Sequence, residues 1–336
     1  MRKKMILSLC LLLGLTAVCA ACKGGETGGQ TTTAASTAGT SAPQTTTQAS
    51  TTLTTAAQST TAVTTAAQST AAPVNGTPGK TLTGRDPLPL LEIPVNDPQN
   101  TRGLPTKGIG HSFGLSKNGK PHEISIASQK FFDDKNYKAV TLDTKTPEKV
   151  LYLTFDCGWE NGNTAKILDT LKTKQVPAAF FVTKHHAQSE PALIARMINE
   201  GHIVGNHSVK HPNFSKIDRT RMAEEILGCD NYLRETFGYT SPYFRFPEGE
   251  YSESALDLVQ SMGFTSVFWS CAYADWDVDQ QKGKTYAFDT VTSRLHPGAV
   301  ILLHAVSADN NAAMGDIIDW ARGEGYEFRS LDALPQ

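Results

Sequence analysis

Cysteine is scarce in this chain. Six occur in 336 residues, and Cys10, Cys19 and Cys22 all fall within the first 22 positions. Only Cys157, Cys229 and Cys271 remain for the rest. An odd number in an oxidising compartment argues against a disulfide framework. Excess charge of one sign is lacking too. The formal net charge is -2, and beyond Arg2, Lys3 and Lys4 the basic residues are dispersed. No basic stripe exists to meet a nucleic acid, so none is expected as a partner. No apolar run reaches the ~20 residues that a membrane-spanning helix needs. Residues 24–79 hold one charged residue, Glu26, and no aromatic one. Such a segment cannot bury enough apolar surface to offset its chain entropy.

What is present begins with an export pattern. Three basic residues precede an almost wholly apolar stretch from Met5 to Ala20, as in a secretory signal. Ala20-Ala21-Cys22 then reads as a lipobox, with Cys22 carrying lipid; an ordinary signal cut near Ala21 is the alternative. The expected organisation is a lipoprotein signal over 1–21, a Thr/Ser/Ala-rich disordered linker over 22–80, an extension over 81–149 packing on a barrel, and a catalytic domain over 150–336. A linker of this kind spans ~40 Å as a coil. It suits a spacer holding a monomeric domain away from a membrane, toward the cell wall.

From Val150 onward, apolar runs alternate with helical patterns. Val150–Phe155, Ala178–Val182, His202–Gly205, Phe244–Phe246, Ser266–Trp269 and Val300–Leu303 read as strands. Helices are expected over Thr164–Thr173, Glu190–Glu200, Arg221–Phe237, Glu253–Met262 and Asn311–Glu324. Strands apolar on both faces, alternating with helices, mean a parallel α/β sheet. About seven repeats predict a distorted (β/α)7-type barrel, whose chemistry sits at the carboxyl ends of its strands. Asp156, His207, Arg245, Trp269, Asp275 and His304 all lie at or just after a strand end.

Each of these has a plain and a chemical reading. Asp156 is too far from the helix at Thr164 to serve as its cap and suits a general base. Arg245 beside it would hold the carboxylate ionised and oriented, or form a merely structural ion pair. His207 and His211, four residues apart after a strand, are either polar loop residues or two ligands of a metal. An acid and a histidine pair are the minimum for a metal ion with a general base, so hydrolysis leads. His304 is either a satisfied core residue or, paired with Asp275, a general acid. Trp269 and Trp276 either line a sugar-sized pocket or fill the core.

Together these residues resemble the polysaccharide deacetylases of the NodB homology family, carbohydrate esterase family 4, and most of all its muramic-acid, δ-lactam-forming branch. The resemblance runs from about Ile109 to Leu334. It rests on Thr154-Phe155-Asp156-x-Gly158-x-Glu160-Asn161-Gly162, Gly205-Asn206-His207-Ser208-x-x-His211-Pro212, Phe268-Trp269-Ser270, Asp275-Trp276, Gln281-Lys282-Gly283-Lys284, His296-Pro297-Gly298-Ala299 and Leu302-Leu303-His304. It implies a fixed set of roles. Asp156 is the base and Arg245 orients it. His207 and His211 bind a divalent metal, zinc first. Asp275 orients His304, which protonates the leaving amine. Leu302 shapes the acetyl pocket, and the backbone N–H of Glu248 is an oxyanion donor.

Two positions depart from the family pattern. Most members follow the base with a second, metal-binding Asp, where the muramic branch typically has Asn; here it is Cys157. A thiolate there would ligate zinc well, or Cys157 is a small bystander. Glu248 replaces an aromatic residue or Arg and would disfavour a carboxylate nearby. The resemblance implies an extracytoplasmic N-deacetylase of peptidoglycan amino sugars. Deacetylation of another polymer, such as chitooligosaccharide or xylan, is one alternative. A non-catalytic glycan-binding module, which Cys157 would favour, is the other.

Overall fold

The structure, a computed structural model, describes residues 79–112 and 114–335. The export signal, Cys22 and nearly all of the linker lie outside the described residues. In chain order the elements are β1 (Ile109–Gly110), α1 (Glu123–Asp134), β2 (Ala139–Val140), β3 (Val150–Cys157), α2 (Thr164–Lys174), β4 (Ala179–Val182), α3 (Lys184–Ser189), α4 (Pro191–Asn199), β5 (Ile203–Asn206), α5 (Arg219–Phe237), β6 (Tyr243–Phe244), β7 (Glu250–Tyr251), α6 (Glu253–Ser261), β8 (Thr265–Val267), α7 (Lys284–Thr292), β9 (Ala299–His304), α8 (Ala308–Gly323) and β10 (Glu327–Phe328). No helix among the described residues is long and apolar enough to cross a membrane.

Strand β3 organises the sheet. All eight of its residues are buried, because both of its faces are covered. Alternation sends Leu151, Leu153, Phe155 and Cys157 into the core under the helices, beside Ile167, Leu168 and Ile317. Val150 and Tyr152 point the other way, among Phe181, Val267 and Val300. With a side-chain period of two, Thr154 and Asp156 continue that inner face. Parallel partners follow on both sides: β9 on one, then β4, β5, β6 and β8 on the other, with β10 beside the start of β3.

The sheet curls toward closure through residues that precede 150. Strand β2 pairs with β8 in parallel, and two residues on Leu142 bridges Ala299 of β9. Farther up, the backbone N–H groups of Ser270 and Cys271 donate to the Val300 carbonyl, and that of Leu302 to Cys271. The expected distorted (β/α) barrel is therefore the observed fold, and part of the 81–149 segment belongs to the barrel itself. The earliest described residues run along α5, where Leu82 and Leu88 donate to the Thr236 and Arg234 carbonyls. Helix α5 starts at an Asp218 cap and stops at Gly238 with φ 58°. That left-handed turn favours glycine, and a Cβ there would collide with the Asp86 carbonyl oxygen.

Three helices escaped the sequence reading. Of these α1 and α7 carry β-branched and aromatic residues at positions that blur the helical period, and α3 has only six residues.

Candidate active site

Asp156 is the next-to-last residue of β3 and His304 the last of β9. The parallel ladder sets them directly side by side, as register partners. Arg245 follows β6 and is 0% exposed. All three of its guanidinium nitrogens donate: one to Asp156 Oδ1 at 2.8 Å, another to Thr154 Oγ1 at 2.8 Å, and Nε to the Val267 carbonyl at 2.9 Å. The group also stacks 4.1 Å from the Phe181 ring centroid. A rigid planar fork can serve several acceptors at fixed angles in a way that a lysine cannot. Burial alone would raise the Asp156 carboxyl, but the Arg245 charge, with His207 and His304, holds it below the ordinary carboxylate range. The Asp156 carboxylate is thus ionised, with Oδ1 pinned and Oδ2 lying 3.6 Å from His207 Nε2.

His207 is buried, and burial pushes its pKa down to about 4. Its Nδ1 lies 2.8 Å from the Arg245 carbonyl oxygen. A carbonyl only accepts, so Nδ1 carries the proton and Nε2 is left bare. His211 meets it edge to face, with ring centroids 4.8 Å apart. The loop between them is held tightly. Ser208 and His211 both have positive φ, at 72° and 57°. The buried Glu225 carboxylate accepts from the Val209 and Lys210 N–H groups, and Ser208 Oγ from that of His211. Non-glycine residues held in the left-handed region cluster at functional sites. A buried, neutral His207 with the His211 ring against it, beside an ionised carboxylate, suits a divalent ion. Among the described residues no group of three or more His, Cys, Asp and Glu is arranged to hold one.

Cys157 is the correction. It sits one residue past Asp156 and so points to the opposite face of β3, into the core under the helices. Burial and the neighbouring Asp156 charge push its thiol well above its ordinary value, so it is a protonated core residue. The structure does not bring it to His207 and His211.

His304 Nδ1 lies 2.7 Å from Asp275 Oδ1, and its backbone N–H donates to Oδ2 at 2.8 Å. Burial would lower this histidine, but the Asp275 charge and bond, helped by Asp156, raise it above its usual value. Asn310 donates to Asp275 Oδ2 at 2.5 Å, and Tyr273 OH to Asn310 Oδ1 at 2.5 Å. These two supports were missed from sequence, as was Thr154 under Arg245. Gln281, which donates to the Asp275 and Asp277 carbonyls, pins the loop that brings Asp275 here.

A cavity of about 980 Å³ opens over these groups, lined by Asp156, His207, His211 and His304. Leu302, Trp269, Trp276 and Glu248 line it too. Glu248 sits at φ 59° in a single 3₁₀ turn, and its Oε2 accepts from Asn213 Nδ2 at 2.9 Å. Trp276 is 55% exposed and Trp159 46%; both line the cavity and suit the flat face of a sugar. Trp159 was overlooked although it lies three residues from Asp156. His111 also lines the cavity, and no pattern in the sequence pointed to it.

A polysaccharide deacetylase family model matches residues 143–267. The chain is 40% identical over 235 residues to the peptidoglycan-N-acetylmuramic acid deacetylase PdaA of Bacillus subtilis, covering 69% of this chain and 87% of that protein. This chain belongs to the polysaccharide deacetylase family. The deacetylase also superposes on the solved PdaA structure, described as a family 4 carbohydrate esterase, with a TM-score of 0.64 over 69% of this chain and 98% of that one. A peptidoglycan-N-acetylglucosamine deacetylase of Bacillus cereus is 34% identical to it over 192 residues, which is 55% of this chain and 67% of that protein.

Proposed function

We propose that this deacetylase acts outside the cytoplasm, depends on a divalent metal, and removes the N-acetyl group of muramoyl residues in peptidoglycan. The reading is carried by the pairing of an ionised carboxylate, Asp156, with a proton-bearing imidazole, His304, on adjacent strands under a sugar-sized cavity. His207 and His211 would hold the ion, with zinc the natural choice for imidazole donors; when bound it supplies electrophilic activation of water and of the acetamide carbonyl.

The protein's own groups do the rest. Asp156 takes a proton from the attacking water on Oδ2, while Arg245 keeps Oδ1 fixed. The Glu248 N–H would donate to the oxygen on which negative charge develops, and Leu302 would face the acetyl methyl. His304, its Nδ1 held on Asp275, gives a proton to the departing nitrogen from Nε2. The amide C–N bond breaks, leaving acetate and a free amino sugar.

The muramoyl assignment is supported by the likeness to PdaA. Lys210 lines the cavity and offers a cation to a lactyl carboxylate, while Glu248 is occupied by Asn213. The Bacillus cereus relative and the Glu248 charge favour N-acetylglucosamine as the second reading. Delivery would follow from a signal over 1–21, a lipid on Cys22 and the 22–80 spacer, with the barrel acting as a monomer. Cys22→Ser should release the protein from the membrane fraction, and retention of that variant there would sink the anchor.

Acetate release from purified peptidoglycan, followed by mass analysis of the digested glycan, tests the activity and names the sugar. Asp156→Asn and His304→Ala should abolish release, and a chelator should suppress it reversibly. If both variants release acetate like the parent, the mechanism is wrong.

A further inference from the structure

Two buried polar atoms in the walls of the cavity have no hydrogen-bond partner among the described residues. His111 follows β1, which pairs antiparallel with β7, and is 9% exposed. Its Nε2 lies 2.7 Å from the Trp269 carbonyl oxygen. That oxygen can only accept, so Nε2 bears the proton and Nδ1 is a bare acceptor. Burial keeps the ring neutral, pushing its pKa down to about 4. His111 Nδ1 has no hydrogen-bond partner among the described residues, and neither has Nε1 of Trp269, itself 7% exposed. The two rings meet edge to face with centroids 5.1 Å apart, and both line the catalytic cavity. His186 is equally unpartnered at both nitrogens, but it does not line that cavity.

An indole N–H only donates, and this imidazole nitrogen only accepts. Leaving such atoms buried and unmatched is costly, so the site calls for a group that accepts and donates at one atom. A hydroxyl does both. We infer that His111 and Trp269 form a hydroxyl-reading subsite, with the indole N–H donating to a sugar hydroxyl oxygen and that hydroxyl donating to His111 Nδ1. The choice of hydroxyl rests on the muramoyl reading above. In a 1,4-linked glycan the muramoyl ring has its first and fourth carbons in glycosidic bonds, an acetamide on the second and a lactyl ether on the third. Only the hydroxyl on the sixth carbon is free, and it is the one assigned here. A residue O-acetylated at that position has no O–H to give and would be refused.

The test compares acetate release by the full chain from peptide-free glycan oligosaccharides whose muramoyl residues carry either the sixth-carbon hydroxyl or its 6-deoxy replacement. The deoxy substrate should lose roughly tenfold to a hundredfold in kcat/KM, as sites built to pair a hydroxyl do when it is missing. Trp269→Phe keeps a ring and removes the N–H. It should lose roughly tenfold on the natural glycan and little further on the deoxy one. His111→Phe should behave the same way, with circular dichroism confirming the fold of each variant. Equal losses on both substrates would mean that the pair serves structure or holds only a water, and would overturn the subsite. So would a parent enzyme indifferent to the hydroxyl. If acetate comes only from N-acetylglucosamine oligomers, the muramoyl reading falls separately. The same comparison on 6-deoxy N-acetylglucosamine oligomers then decides the contact.

Discussion

Replacing Asp275 by Asn should move the alkaline side of the pH–rate profile. His304 must be protonated to deliver its proton, so activity falls as pH rises through its pKa. Burial and Arg245 press that pKa down, while Asp275 and Asp156 lift it above the ordinary 6.5. Asp275 is the stronger of the two lifts, through its charge and its 2.7 Å bond to Nδ1. An Asn keeps the shape and removes the charge. A hydrogen bond to a charged group contributes about 1.5–3 kcal/mol, against about 1.4 kcal/mol for each pH unit. The alkaline limb should therefore shift down by about one to two pH units, and activity on that limb should fall by roughly tenfold to a hundredfold. Stability follows the same sign. The raised His304 favours the fold below its unfolded pKa, and that contribution is lost as pH rises through the folded one. Thermal melts of the parent should show this loss above pH 6.5 and those of Asp275→Asn should not. Acetate release from peptidoglycan, measured across pH with parent and variant side by side, is the assay. An alkaline limb that stays in place in Asp275→Asn would refute His304 as the acid tuned by Asp275.

Arg245→Met should unfold more readily, by about 3 kcal/mol in chemical denaturation, because it leaves the Asp156 carboxylate uncompensated. The depressed Asp156 pKa makes the parent lose stability as pH falls through it, and Arg245→Met should lack that acid-side dependence. Cys157→Ala should cost about 1 kcal/mol in stability while leaving metal content, read by elemental analysis, at the parent level; loss of metal would return the thiol to the ligand set. Gly249 has φ 65°, and a Cβ there would come within 2.5 Å of the Trp269 ring. Gly249→Ala should therefore cost roughly 1–2 kcal/mol for the left-handed turn alone and lower acetate release by displacing Trp269. A parent-like melting temperature and rate would show that the indole is free to move.

The barrel was legible because Val150–Phe155 and Val300–Leu303 are apolar on both faces, which only a sheet covered on both sides requires. Asp156, His207, Arg245, Asp275 and His304 were legible because each closes or follows such a run. Its place in the motif left Cys157 open between zinc ligand and small bystander, although the two-residue period of a strand already sends it to the opposite face from Asp156. His111 stands beside a two-residue strand, too short for any period. Asn310 and Tyr273 act through a network across 37 positions of sequence, which adjacency along the chain cannot reveal. The closure by β2 was hidden for a related reason: its two residues gain meaning only from the neighbours they meet.

The shared register of Asp156 and His304 makes the distance between the proposed proton acceptor and proton donor a lattice constant. Adjacent strands sit about 4.8 Å apart whatever their side chains, so no loop sets the working span of this enzyme. Insertions in the connections above the barrel could reshape the cleft and change the polymer admitted without moving Asp156 and His304 apart. A one-residue slip in β3 or β9, in contrast, would turn a catalytic group to the wrong face. The chemistry is as durable as the ladder, and specificity is free to drift around it.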